Sequence, residues 1–137
     1  MLRLLPFFIL LSFYGFSQNT LTVEVSGVSS SEGNISIGVY TDAEGFLKTD
    51  KIYKGLFIKS TKGITKAVFK NLPSDTYAIA LFHDENANEE LDTNFFGIPK
   101  EPLGFSIGRL KTFGPPSFEE CSFLLESDMK INIPLSD

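Results

Sequence analysis

One cysteine and one histidine are all this chain offers of the side chains that most often carry covalent or metal chemistry. Cys121, standing alone, has no partner for an internal disulfide, so stability outside the cell must come from the core or from a bound ion. It alternates with Phe123 and Leu125 and has no basic neighbour to activate a thiolate, so it reads as a small buried apolar residue. Also missing are G-x-S-x-G, H-E-x-x-H, a Cys–His pair at telling spacing and a glycine-rich phosphate loop, so no recognisable catalytic motif is present. There is no internal repeat and no low-complexity tract. Basic residues are also scarce: the formal charge is −5, which argues against nucleic acid and against anionic membranes as main partners.

No hydrophobic run is long enough to span a membrane. The longest, Leu4–Phe16, follows the basic Arg3 and runs into Gly15-Phe16-Ser17, with small residues at the −3 and −1 positions. That arrangement fits a secretory signal peptide over residues 1–17, removed to leave one domain over 18–137. A retained anchor is the alternative. The exported chain, periplasmic or secreted, would hold roughly 120 residues, enough for a core of its own. Loss of Arg3 leaves eleven basic against seventeen acidic residues, a charge of −6.

Period-two patterning dominates what remains. Leu21, Val23 and Val25 alternate with Thr22, Glu24 and Ser26, and Ile35, Ile37 and Val39 alternate with Ser36, Gly38 and Tyr40. With the polar run Ser29–Asn34 between them, these two segments predict a hairpin. Phe46-Leu47 should anchor the following loop to the core. Further strands are expected at Tyr53–Ser60, Ile64–Asn71, Tyr77–Phe82, Phe123–Leu125 and Met129–Leu135. The Tyr77–Phe82 segment is apolar on both faces, which predicts a central strand covered on two sides. Ser117 with Glu120 after Gly114-Pro115-Pro116 is a capping box that predicts a helical turn, with a plain loop as the alternative. Roughly seven short strands with regular turns and no long helical period predict an all-β sandwich of immunoglobulin-like or transthyretin-like type.

Between Asp84 and Pro116 the periodicity stops for roughly thirty residues, a length that in a compact domain usually marks function. Phe95, Phe96, Phe105 and Phe113 make the segment too apolar for a disordered linker, and most of these rings are expected to cover an open edge or end of the sandwich. At its entrance, oxygen-bearing side chains recur at every second residue: Asp84, Asn86, Asn88 and Asp92, with Glu90 offering its carbonyl. Ca²⁺ takes six to eight oxygens, and a tightly turning loop supplies them at this spacing. Glu89 stands where glycine would turn the chain, and Phe95 stands where a closing carboxylate belongs. The last oxygens would therefore come from Asn94, Glu101 or water. A solvated acidic loop satisfying its own backbone is the alternative. His83, at the end of the central strand beside Asp84 and Glu85, has the neighbours of a general base but no nucleophile.

These segments together resemble a known family. Asn71–Ala80, His83–Asn86 through Leu91-Asp92, Gly97–Glu101, Gly104–Ser106 and Gly114–Glu120 are similar to the bacterial domain of unknown function 2141, over essentially the whole exported chain. The family's loop typically reads H-D-x-N-G-N-G-x-L-D, so Ala87 and Glu89 replace two glycines. The Leu72-Pro73-Ser74-x-x-Tyr77 turn is also similar to that of carboxypeptidase-regulatory-like and transthyretin-like sandwiches, which implies a module that accompanies other proteins without catalysing. The expectation is therefore an exported, non-catalytic module that contacts a protein or small-molecule partner through its long loop, with Ca²⁺ as the one cofactor in view. The alternatives are a small periplasmic enzyme using His83 with Asp84, Asp92 or Glu119, and a carrier holding an apolar ligand among the loop phenylalanines.

Overall fold

The computed structural model describes residues 17–107 and 114–136. The proposed signal peptide, Phe113 and Asp137 lie outside the described residues, apart from Ser17. Among the described residues, eight strands form two sheets: β1 (Gln18–Val28), β2 (Asn34–Tyr40), β3 (Lys54–Lys59), β4 (Gly63–Pro73), β5 (Asp75–Asp84), β6 (Leu103–Phe105), β7 (Phe123–Leu125) and β8 (Met129–Pro134). One helical turn, α1 (Phe118–Cys121), precedes β7, and Glu120 N donates to Ser117 Oγ at 3.2 Å, the cap expected from the sequence. The fold is an all-β sandwich.

The smaller sheet has the order β4-β1-β8; the larger has β3-β2-β5-β6, with β7 pairing the first residues of β5. The predicted hairpin between the first two strands does not form. β1 pairs antiparallel with β4 and parallel with β8, whereas β2 pairs with β3 and β5. The connection Ser29–Gly33 instead crosses the gap of roughly 10 Å between stacked sheets. Alternation reports which face of a strand is buried but not which strand lies beside it. The apolar rows of β1 and β2 therefore face each other across the core instead of sharing a sheet.

That core is filled by Leu21, Val23 and Val25 of β1, Ile35, Ile37 and Val39 of β2, and Tyr77, Ile79 and Leu81 of β5, all essentially inaccessible. Tyr77 Oη donates to the Pro73 carbonyl at 2.6 Å, across the one-residue connection between β4 and β5. Burial, then the nearby Tyr53 and Asp75, push this hydroxyl up to about 12. β5 is central and two-faced, as expected: on its outer side Ala78 packs with Phe105 and Cys121, joined by Phe46 and Phe118. Phe46 thus anchors its loop while Leu47 stays exposed. Cys121 is buried, in keeping with the packing role read from the sequence.

Candidate functional site

The segment between β5 and β6 is not structureless. Its first half closes on itself around Asp84, which is 0% exposed although it carries a carboxylate. Asp84 Oδ1 accepts from Asn88 N at 3.2 Å and Oδ2 from Glu89 N at 2.8 Å. Ala87 N donates to the Asp84 carbonyl at 3.2 Å. To bring these amides inward the chain takes left-handed φ at Ala87 (53°) and Glu89 (65°), the two positions where the resembled motif carries glycine. The Asn86 and Asn88 amides donate to the Asp92 carboxylate at 2.6 and 2.7 Å. Glu90 joins through its main chain, its N–H donating to Asn88 Oδ1 at 3.0 Å.

Four of the five expected calcium ligands, Asp84, Asn86, Asn88 and Asp92, therefore lie together, with Glu90 attached by its backbone. Both carboxylates already accept two N–H groups each. Among the described residues, no three His, Cys, Asp or Glu side chains gather as a metal group would require. Glu101, considered from the sequence as a further ligand, clamps the loop instead: Oε2 accepts from Glu85 N and Oε1 from Asp92 N, both at 2.9 Å.

His83 belongs to the inner row of β5, beside Ile35 of β2, and is 0% exposed. Its Nε2 lies 2.7 Å from the Glu32 carbonyl, which can only accept, so that nitrogen carries the proton. Nδ1 has no hydrogen bond among the described residues, and Glu85 Oε1 stands off at 3.8 Å. Gly33, next in the chain to Glu32, has φ of 66°, and a methyl group there would fall 1.9 Å from the Asp84 carbonyl oxygen. Histidine, glycine and aspartate thus lock the connection Ser29–Gly33 against the start of the loop.

The second half is a self-closed tip. Asn94 N donates to the Ile98 carbonyl at 2.8 Å, and Asn94 Oδ1 accepts from Phe96 N and Ile98 N at 2.9 and 3.0 Å. The tip holds Phe95 97% exposed and Phe96 83% exposed, their rings edge to face at 5.6 Å. The expectation that these rings cover the sandwich is overturned. Asn94 completes every turn of the tip locally, so neither ring is drawn inward; of the four, only Phe105 is buried among the described residues.

Beneath the tip lies a feature that sequence reading missed. Register places Gly55, Gly38 and Ala80 side by side across β3, β2 and β5 on the outer face. Gly38 and Ala80 of this row are on the floor of an open groove of about 1090 Å³. Phe57, Phe82, Leu47 and Leu91 are among its walls, and Glu89 and Glu90 are on its rim. The signal was present but split over three strands, and only their alignment shows it.

Comparison with curated proteins and with solved structures gave no match. The family comparison did, over residues 23–132, a span running from β1 to β8. The chain belongs to DUF2141, a family described as an uncharacterized protein conserved in bacteria.

Proposed function

We propose that this chain is an exported, non-catalytic binding module that docks onto a partner through the Phe95–Phe96 tip. The observation that carries the reading is the pair of fully presented phenylalanine rings on a loop braced by Glu101, Asp84 and Asn94. Exposed aromatic groups on a rigid frame are the kind of residue that dominates interface energetics, since little ordering entropy remains to be lost on binding. Sealing of His83 in the inner row supports a structural role for it over general-base chemistry. Among the described residues, no helix is long and apolar enough to cross a membrane.

The test is co-purification from the envelope of the producing cell. A protein retained by the wild-type chain and lost from Phe95→Ser/Phe96→Ser supports docking, provided the double variant melts as the wild type does. Equal retention by both chains would remove the tip from the account. Export is checked by the amino-terminal sequence of the chain recovered from periplasm or medium, expected to begin just after residue 17.

Convergence of Asp84, Asn86, Asn88 and Asp92 favours one addition. We propose that Ca²⁺ binds this ring when the two asparagine amides rotate to present oxygen, replacing internal donors with the ion. Millimolar Ca²⁺ should then raise the melting temperature and EDTA reverse it, by linkage. An unchanged melting curve would leave the ring closed by its own hydrogen bonds alone.

A further inference from the structure

We propose that the groove on the outer face of the five-stranded sheet is a binding site for an elongated apolar molecule with a cationic, hydrogen-bonding end, of the class of long-chain amines. Neither Phe95 nor Phe96 is among the groove's lining residues, so this site goes beyond the docking role of the tip and does not depend on it.

Three observations define the ligand. The first is size and polarity: about 1090 Å³, floored by Gly38 and Ala80 and walled by Phe57, Phe82, Leu47 and Leu91, is just above the usual range for small-molecule sites. It suits a chain, because the lining runs across neighbouring strands from Phe57 of β3 through Gly38 and Ala80 to Leu103 and Phe105 of β6. Apolar surface leaving water would supply most of the affinity.

The second is Tyr40. It lines the groove yet is only 5% exposed, and its Oη makes no hydrogen bond with any described residue. Its ring leans over Gly38, where a side-chain carbon would come within 3.1 Å of it, and stacks edge to face on Phe46 at 5.3 Å. Burial raises the pKa of its hydroxyl, so the phenol stays protonated. Among the described residues the sealed, unpartnered side-chain polar atoms are Ser60 Oγ and His83 Nδ1, so the Tyr40 Oη is open to the groove, where a polar ligand group can replace water on it.

The third is charge. Glu89 and Glu90 line the rim without an ion-pair partner among the described residues, while the third acidic residue there, Glu101, is occupied by two backbone N–H groups. No Lys, Arg or His is among the described lining residues. Among the described lining residues a carboxylate or phosphate head would meet only like charge, whereas an ammonium would meet two carboxylates. Because both are exposed, they set preference between head groups more than overall affinity.

Isothermal titration of the full exported chain with dodecylamine, dodecanol and dodecanoate, each below its aggregation limit at neutral pH, tests the proposal, with amide NMR shifts to locate binding. Dodecylamine should bind one to one, at least about tenfold tighter than dodecanoate, with shifts centred on Gly38, Ala80 and Phe82. Glu89→Gln/Glu90→Gln should bring the two probes within about twofold of each other, and Tyr40→Phe should weaken dodecylamine about fivefold while the melting temperature holds. Absence of saturable binding, equal affinity for amine and carboxylate in the wild type, or shifts centred on Phe95 and Phe96 would each overturn the site. Failure here leaves the partner-docking test of the tip unaffected, since that test reads different residues.

Discussion

The two sheets turn very different outer faces to the surroundings. On the three-stranded sheet the face is mixed but mostly polar: Thr22, Glu24 and Ser26 of β1 lie beside Ile64, Lys66 and Val68 of β4 and Lys130 and Asn132 of β8, and Lys130 Nζ pairs with Glu24 at 2.9 Å. On the five-stranded sheet the equivalent positions are Ser36, Gly38, Tyr40, Ala78, Ala80 and Phe82, apolar or small, covered at one end by Phe46, Phe105 and Phe118 and left open by the described residues at the other. A sandwich needs only its inner faces buried to be stable, so an apolar outer face has to be explained by what it contacts. Among the described residues a helical turn and two long connections frame that face, and nothing comparable frames the other.

Substitutions should separate packing from framing. Leu81→Ala, in the inner row, should cost about 2–5 kcal/mol in urea unfolding, while Phe82→Ala next to it should cost nearer 1 kcal/mol, because its ring lies on the half-open face. Equal costs would mean that the outer face is core. Asp84→Ala leaves two loop amides without their acceptor and should cost about 1–3 kcal/mol; hydrogen exchange at Asn88 and Glu89 should quicken more than in the strands. Uniform quickening would show that the loop is not a separate unit.

Tyr77 gives a pH signature. Its folded pKa of about 12 is above the ordinary 10.0, so the folded state holds the proton more tightly. The stabilisation is fully present below pH 10 and is lost as pH rises from 10 to about 12. Tyr77→Phe should flatten that decline; an unaltered decline would assign it to another group. Ala87→Gly and Glu89→Gly should each change stability by under about 1 kcal/mol, in the stabilising direction, because glycine relieves the left-handed strain at some entropic cost. Smallest of all, Lys130→Ala should cost under about 1 kcal/mol, because the pair lies largely in water.

Much of the fold was legible because burial follows alternation. The inner rows of β1, β2 and β5, the two-sided burial of β5 and the cap at Ser117 all follow from local spacing. What spacing could not supply was adjacency. It paired β1 with β2, and it gave no hint that Gly55, Gly38 and Ala80 share a row. It also assigned Phe95 and Phe96 to covering roles from their hydrophobicity alone. Their exposure depends on Asn94 satisfying the tip locally, a contact between residues two and four positions apart that carries no periodic signature. The loop ring was half legible: its acceptor spacing was visible, but Glu101's hold on both its ends was not.

The central claim, that the five-stranded side carries the contacts, is tested most directly by site-specific photocrosslinking in the producing cell. A photoreactive residue at position 96 should give a discrete adduct with one partner, and the same group at position 66 on the three-stranded face should give none. Adducts at position 66 and none at position 96 would contradict the account.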